Sequence, residues 1–311
     1  MRVRVVVPMY PPYSLVGSWL TTHEFMRDLV AHGHRVDVTA YQSRGGPLEH
    51  EGVVVETTFA AEITADVVVG HAGDDGSAMA IAGRLGVPLV LMAHGGDPEV
   101  MLLRLEAADL AVFNSHNLRD AVGWDGPSVV CHPPVDRSRY ATTPGDRVTL
   151  VNTSADKGGV LFWSLAERLP DVPFMAVVGG YGRQILWSGH PNVVIQRHSP
   201  NVTTEVYGRT RVLLLPSIVE TWGRVAIEAA CSGIPTIAHP TSGALEALGD
   251  AATYVDRDDL DGWAEAIERL MRPAWWHDRS TAALARAHAL DSAGSLDRFR
   301  ASLDQLVGVR T

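Results

Sequence analysis

The sequence predicts two α/β domains, each built on a parallel, doubly wound sheet. Short apolar runs alternate with helical stretches along the chain, which is the pattern of repeated strand-helix units. Several runs are apolar at consecutive positions, as is typical of parallel strands buried on both faces. A segment rich in Pro, Thr and Gly at 132–147 interrupts the alternation, which then begins again. We therefore expect a ligand cleft between two domains, beyond the carboxyl ends of the strands.

The individual elements follow from the same pattern. In the first half, helices are predicted over 18–33 and 75–86, and strands over 2–7, 35–40, 52–57, 66–70, 88–94, 110–115 and 128–133. In the second half, six strands run from VTLVNT to ATYV, with helices near 159–169, 222–232, 258–271, 274–289 and 294–307. The expected domains are 1–140 and 141–291, with 292–311 as a helix that crosses back to the first domain.

Composition excludes several classes of function. The chain has 46% hydrophobic residues and a net charge of −10, which offers no basic surface for nucleic acid or an anionic membrane. No apolar run approaches the roughly 20 residues that span a bilayer, and the first residues lead directly into a strand. We therefore expect a cytoplasmic protein without integral membrane association. Cys131 and Cys231 are expected to be buried thiols rather than a disulfide.

The segment VNTSADKGG, at 151–159, contains the only lysine of the chain. Of the 26 lysine and arginine residues, the other 25 are arginines. Lysine differs from arginine in placing a compact charge on a flexible stem. Its retention at Lys157 indicates a site that needs a compact ammonium group.

The most informative segment is PSIVETWGRVAIEAACSGIPTIAHP, which begins at residue 216. A strand is predicted to end at Pro216, and a loop carrying Glu220 follows it. The next helix is expected to begin near Trp222 with Thr221 as its N-cap. Backbone N–H groups at such a helix start favour an anion such as a diphosphate, with Glu220 before the helix and Glu228 inside it.

This segment resembles the E-x7-E element of family 4 retaining nucleotide-sugar glycosyltransferases, which have the GT-B fold of two Rossmann-like domains facing a cleft. The resemblance implies an N-terminal acceptor domain and a C-terminal donor domain. It also implies that Glu220 binds hydroxyls of the donor sugar and that Glu228 binds the ribose. Thr221, Trp222, Gly223 and Arg224 lie between the two glutamates and are expected to line the donor site.

Other segments resemble the family in chain order. The opening glycine loop implies that Gly17 and the backbone of Ser18 approach the donor phosphates, and glycine permits such an approach because it has no Cβ. LMAHGGD implies that His94 contacts the donor sugar near the reaction centre. His71 follows a neighbouring strand end and is a candidate for acceptor contact. His94, Lys157 and Glu220 are thus the expected catalytic residues.

One departure from the family concerns the diphosphate clamp. The second domain opens with an element whose Arg and Lys grip the diphosphate in the family, and Lys157 occupies the Lys position. The Arg position falls near Thr153. Arg183 and Arg224 are the candidates to supply the missing charge.

No metal or organic cofactor is expected. Asp256 and Asp258 match a metal-binding pattern of another transferase fold, but they precede a helix, where Asp is an ordinary loop and cap residue. His32 and His34 have a chelate-like spacing but no third ligand nearby in the sequence, and a turn explains this spacing better than a metal site.

The predicted function is a metal-independent transfer of a hexose, with retention of configuration, from a nucleotide-diphosphate sugar to a soluble acceptor, a protein or a small molecule. UDP, GDP and ADP donors are not distinguished, nor is the oligomeric state. The alternatives are a GT-B phosphorylase with pyridoxal phosphate on the lysine, a sugar-nucleotide epimerase, and a degenerate nucleotide-sugar-binding protein. Nucleic acid remains an option only if arginines converge in the cleft.

Overall fold

The computed structural model describes residues 1–308, which divide into two compact units. Unit 1 contains residues 1–134 together with the C-terminal helix, and unit 2 contains Val135–Asp291. Each unit has its own sheet and its own buried apolar core. The boundary precedes the expected 140/141 position because Val135 and Tyr140 already pack into the core of unit 2.

Unit 1 is a sheet with helices packed against it. Its strands are β1 (Arg2–Val7), β2 (Arg35–Ala40), β3 (Leu48–His50), β4 (Val53–Glu56), β5 (Val67–His71), β6 (Leu89–Ala93), β7 (Leu110–Phe113) and β8 (Ser128–Val130). Its helices are α1 (Gly17–Ala31), α2 (Ser77–Leu85), α3 (Pro98–Leu105), α4 (His116–Val122) and α12 (Ser292–Gly308). The strand order is β3-β4-β2-β1-β5-β6-β7-β8, and the strands pair in parallel except for β3 with β4.

Unit 2 repeats this plan with a smaller sheet. Its strands are β9 (Arg147–Val151), β10 (Phe174–Val177), β11 (Val193–Gln196), β12 (Thr210–Leu215), β13 (Thr236–Ala238) and β14 (Thr253–Tyr254). Its helices are α5 (Arg137–Tyr140), α6 (Gly159–Arg168), α7 (Val202–Glu205), α8 (Arg224–Ala230), α9 (Ser242–Leu248), α10 (Leu260–Leu270) and α11 (Pro273–Ala289). The strand order is β11-β10-β9-β12-β13-β14, with all pairs parallel.

The consecutive apolar residues of the strands account for the parallel sheets. Val5 of β1 pairs in register with Val38 of β2 and Val69 of β5, and all three side chains are completely buried. Helices cover both faces of such a sheet, which accounts for strands such as β6, LVLMA, that are apolar and buried at every position. The two parallel sheets confirm the predicted fold class.

Both sheets reverse their strand order beside the first strand of the unit. β1 lies between β2 and β5, and β9 lies between β10 and β12. Ligands of doubly wound folds bind beyond the carboxyl ends of the strands at this point. The turn that carries Lys157 follows β9, and the loop that leads to Gly17 follows β1.

Several elements were not expected from the sequence. The segment 132–147, interpreted as a linker, contains α5, which the side chain of Asp136 caps by accepting from the Ser138 N–H group. The short strand β3 and the helices α3, α4, α7 and α9 were also missed. Phe299 of α12 packs against Phe25 of α1, with ring centroids 4.7 Å apart. Within residues 1–308, none of the helices has both the length and the apolar character needed to cross a bilayer.

Candidate functional site

Lys157 lies in a tight turn between β9 and α6. Gly158 has a positive φ of 90° and begins the helix as its N-cap. A Cβ on Gly158 would stand 2.3 Å from Pro216, and one on Gly159 would stand 2.1 Å from the carbonyl oxygen of Thr153. Gly158 therefore lets the turn pack closely against Pro216, which follows β12, and Gly159 lets it approach the backbone of Thr153.

The ammonium group of Lys157 forms an ion pair with Glu220. Its Nζ atom donates to Oε2 of Glu220 at 2.8 Å, and both side chains are largely buried, at 17% and 15% exposed. Burial is the largest single influence and lowers the pKa of Lys157, but Glu220, Tyr181 and Asp156 together outweigh it and raise this pKa above its ordinary value. The structure thus brings together two of the three residues predicted to be catalytic.

Glu220 is held by two further donors. The hydroxyl of Ser217 donates to Oε2 at 3.0 Å, and the N–H group of Gly223 donates to Oε1 at 3.1 Å. Gly243 of α9 lies against this loop, since a Cβ there would stand 2.1 Å from the carbonyl oxygen of Glu220. The Glu220 carboxylate is therefore fixed before any ligand binds.

Arg257 joins the Lys157 turn to the Glu220 loop. Its guanidinium donates to the carbonyl oxygens of Ala155, Asp156 and Pro216, at 2.6 Å and 3.1 Å for the first two. This residue was missed from the sequence because only Asp256 and Asp258 were considered in this loop, as a metal-binding pattern or as loop and cap residues. A basic residue in a loop next to a strand end was the signal that could have identified it.

The predicted start of the helix after Glu220 was wrong. α8 begins at Arg224, and its N-cap is Gly223, with φ 83°, rather than Thr221. A left-handed conformation is easily adopted only by glycine, so the chain turns into the helix at Gly223 and not before it. Trp222, expected to line the donor site, is 2% exposed and packs in the core of unit 2.

Arg224 and Glu228 form a buried ion pair on one face of α8. Nε of Arg224 donates to Oε1 of Glu228 at 2.6 Å, and the hydroxyl of Tyr207 donates to Oε2 at 2.6 Å. Nη2 of Arg224 also donates to the hydroxyl of Tyr140 at 3.2 Å. Both residues were expected at the donor, but here each binds partners in the core. Neither tyrosine was identified from the sequence.

The position of the absent clamp arginine is filled by a neutral network. Thr153 is completely buried, and its N–H group and hydroxyl donate to Oε1 of Gln184 at 2.9 and 3.2 Å. The Gly179 N–H group donates to the same oxygen at 2.9 Å. Arg183, the other candidate for the second charge, is exposed on the adjacent loop.

The unit 1 candidates occupy the carboxyl edge of its sheet. Gly17 and Ser18 are the first residues of α1, whose N-cap Val16 supplies no side-chain hydrogen bond. The Thr22 hydroxyl lies 2.8 Å from Nε2 of His71 and 3.4 Å from Nε2 of His94. The structure therefore brings His71 and His94 together around one hydroxyl.

The environment of the two histidines keeps His71 neutral. Burial lowers the pKa of His71 well below its ordinary value, and the adjacent His94 lowers it further. The ring of Trp19 stacks on His71 with centroids 4.4 Å apart. The sequence did not indicate this aromatic contact.

An acidic loop follows His71. Burial raises the pKa of Asp74 to about 7, and the charge of Asp75 adds to this increase. Asp75 accepts from the hydroxyl of Tyr41 at 2.9 Å. These residues were not identified from the sequence, although they follow a strand end at the ligand-binding edge of a sheet.

Comparisons with known proteins support the resemblance. Residues 164–273 match the family described as glycosyl transferases group 1, a range that includes Glu220 and Glu228 but not Lys157. A D-inositol 3-phosphate glycosyltransferase of Arthrobacter sp. (strain FB24) is 32% identical over 161 residues, 46% of this chain and 38% of the relative. One from Pseudarthrobacter chlorophenolicus is 26% identical over 253 residues, 75% of this chain and 58% of the relative. The chain thus matches about two fifths to three fifths of the length of these curated relatives.

Solved structures share the fold over the whole chain. The sucrose-phosphate synthase of Thermosynechococcus elongatus has a TM-score of 0.77 at 16% identity and covers 100% of both chains. Anabaena HepE, solved in complex with UDP-glucose, has a TM-score of 0.76 at 14% identity and covers 98% of this chain and 100% of its own. The resemblance to the group 1 glycosyl transferases is therefore confirmed, on residues 164–273 of a chain that has the GT-B fold.

Proposed function

We propose that this chain is a retaining glycosyltransferase that moves a hexose from a nucleotide-diphosphate sugar to a hydroxyl group of an acceptor. The observation that carries the proposal is the 2.8 Å ion pair between Lys157 and Glu220, beyond the carboxyl ends of β9 and β12. A cation and a carboxylate at this edge match the two parts of such a donor, an anionic diphosphate and a sugar rich in hydroxyls.

Lys157 supplies the charge for the leaving group. Negative charge grows on the diphosphate as the glycosidic bond breaks, and a fixed ammonium group stabilises it. The diphosphate competes with Glu220 for this ammonium, so donor binding releases Oε2 of Glu220 to accept from sugar hydroxyls. Ser217 and the Gly223 N–H group hold the carboxylate in place during the exchange.

Retention of configuration is proposed from the family resemblance. The acceptor oxygen attacks the anomeric carbon from the face that the diphosphate leaves, and the departing phosphate receives the acceptor proton. Glu220, held by three donors, binds the donor in this scheme and does not act as a nucleophile. No metal or organic cofactor takes part. The anomeric configuration of the product, measured by NMR, tests this part of the proposal.

The first donor and acceptor to test follow from the comparisons. HepE was solved with UDP-glucose, which makes UDP-glucose the first donor for this chain, ahead of GDP and ADP sugars. The curated relatives are named for D-inositol 3-phosphate, which is therefore the first acceptor, followed by other soluble polyols and by proteins.

The central experiment is a thermal-shift screen of nucleotide sugars with the wild-type chain and Lys157→Ala. A donor at 100 times its Kd stabilises the fold by about 2.7 kcal/mol, and we expect this only in the wild type. Arg168→Ala is the matched control, since its side chain is half exposed on α6 and pairs with Asp261 at the surface. Equal stabilisation of the wild type and Lys157→Ala would contradict the proposed role of Lys157.

A second candidate function is a non-catalytic nucleotide-sugar-binding protein. The buried Thr153 at the clamp position, together with the pairing of Arg224 to Glu228, favours this candidate. The two functions differ in turnover. Slow hydrolysis of the bound donor, abolished in Lys157→Ala, supports the transferase, whereas donor binding without hydrolysis or transfer to any acceptor supports the binding protein.

A further inference from the structure

Two histidines and a glutamate converge in unit 1, away from the residues considered so far. His23 lies on α1, His50 is the last residue of β3, and Glu51 begins the turn to β4. One ligand atom from each side chain lies within 4.8 Å of the other two. These residue types, in this arrangement, are those that bind zinc in proteins.

His23 is oriented for such a role. Its side chain is 4% exposed, and its Nδ1 atom lies 3.1 Å from the hydroxyl of Tyr10. Its Nε2 atom is buried and has no hydrogen-bond partner among residues 1–308. A buried polar nitrogen without a partner costs free energy, and metal-binding histidines commonly use their second nitrogen for a hydrogen bond that orients the ring.

The spacing of the ligand atoms is close to that of a zinc site. Nε2 of His23 lies 3.5 Å from Oε2 of Glu51, a separation longer than that of an ordinary hydrogen bond. When zinc lies about 2.0–2.1 Å from each ligand atom of a tetrahedral site, the ligand atoms lie about 3.4 Å from one another. Two of the three ligands already have this separation. His50, half-buried and with its ring centroid 4.7 Å from that of His23, needs only a small side-chain movement.

The turn places Glu51 in an unusual conformation. Its φ is 48°, and the following Gly52 has φ 82°. Two consecutive positive φ values define the hairpin turn that favours Asn, Asp or Gly at its first position. A glutamate there costs conformational energy, and the turn directs it to the same place as His23 and His50.

The local charge also suits a divalent cation. Arg27 lies 2.5 Å from Glu24 and 3.5 Å from Glu51, so one guanidinium serves two carboxylates. A metal at Glu51 leaves Arg27 paired with Glu24.

We propose that His23, His50 and Glu51 bind a zinc ion that fastens the β3–β4 hairpin to α1. Two imidazoles and a carboxylate favour zinc over magnesium or calcium, which prefer oxygen ligands. The three protein ligands leave a fourth position for water. The site shares no residue with the proposed donor site, and the proposed transfer does not use it.

The test measures metal binding to the intact chain. We expect the wild type to retain one equivalent of zinc after dialysis, and to show the visible absorption of tetrahedral Co²⁺ when cobalt replaces it. His50→Ala and Glu51→Gln should lose both signals. His277 is an exposed histidine of α11, so the control variant His277→Ala should keep them. Zinc retained equally by His50→Ala, or absent from the wild type, would overturn the proposal.

A substitution that removes the Tyr10 hydroxyl gives a finer test. Tyr10→Phe keeps the buried ring but removes the group that orients His23, so zinc affinity should fall about tenfold. Unchanged affinity would show that the Tyr10 hydroxyl does not orient a ligand. Hydrogen exchange supplies an independent readout, since zinc should slow exchange in β3 and β4 of the wild type but not of His50→Ala. Equal exchange with and without zinc in the wild type contradicts the fastening role.

Discussion

The Nζ atom of Lys157 lies 2.8 Å from Oε2 of Glu220, although the two residues are 63 positions apart in the sequence. The two segments are joined by the packing of Gly158 against Pro216 and by the N–H group of Ile218, which donates to the carbonyl oxygen of Asp156 at 2.9 Å. The only lysine of the sequence is thus paired with Glu220, the first glutamate of the E-x7-E motif.

Lys157→Arg tests whether this site needs a compact charge. The guanidinium is larger and planar, and the side chain at this position is only 17% exposed. We expect turnover to fall about tenfold or more while the melting temperature stays near that of the wild type. Steady-state kinetics and thermal unfolding measure the two effects. Wild-type kinetics in Lys157→Arg would show that charge alone suffices.

Glu228→Ala tests the role of the buried ion pair. The substitution leaves Arg224 charged in the core, and breaking a buried pair typically costs about 3–5 kcal/mol. Urea unfolding should show a loss of this size. The double variant Arg224→Met with Glu228→Leu should recover most of it, because no unpaired charge remains. If Glu228→Ala is as stable as the wild type, the pair does not stabilise unit 2.

Arg257→Met tests the link between the Lys157 turn and the Glu220 loop. The guanidinium donates to three backbone carbonyl oxygens, and methionine leaves them without this donor. We expect weaker donor binding, seen as a raised KM or a smaller thermal shift, although Lys157 itself is unchanged. Arg257→Lys should restore part of the effect, and Arg168→Met should show none. A KM for Arg257→Met equal to that of the wild type would argue against the positioning role.

Asp74→Asn tests the pH dependence of stability. The pKa of Asp74 is about 7 in the folded chain, above its ordinary value of 3.8, so the folded state binds this proton more tightly than the unfolded state. The stabilisation that protonated Asp74 gives the fold is fully present below about pH 4 and is lost as the pH rises through 7. The stability of Asp74→Asn relative to the wild type should therefore increase between pH 4 and pH 8.

One pKa unit corresponds to about 1.4 kcal/mol, so the increase should be on the order of a few kcal/mol. Denaturant unfolding at both pH values measures it. Asp120→Asn, on the exposed side of α4, should show no such change. A constant difference between Asp74→Asn and the wild type at all pH values would contradict the perturbed pKa.

The sequence alone determined the fold class and the two segments that meet at the proposed donor site. Consecutive apolar residues identify parallel strands such as β6, because a strand buried on both faces needs apolar side chains at adjacent positions. The pattern around Lys157 and Glu220 is local as well, so it could be read without the fold. The N-cap of α8 was expected from the sequence at Thr221, whereas the structure places it at Gly223.

Only the tertiary structure decided which side chains meet. The pairing of Glu228 with Tyr207, the contacts of Arg257 with backbone carbonyls and the approach of His50 to His23 all join residues from separate elements. Such contacts depend on how strands and helices pack, and they leave no periodic signal along the chain. The sequence therefore supplied the candidate residues, whereas packing determined which partners hold them.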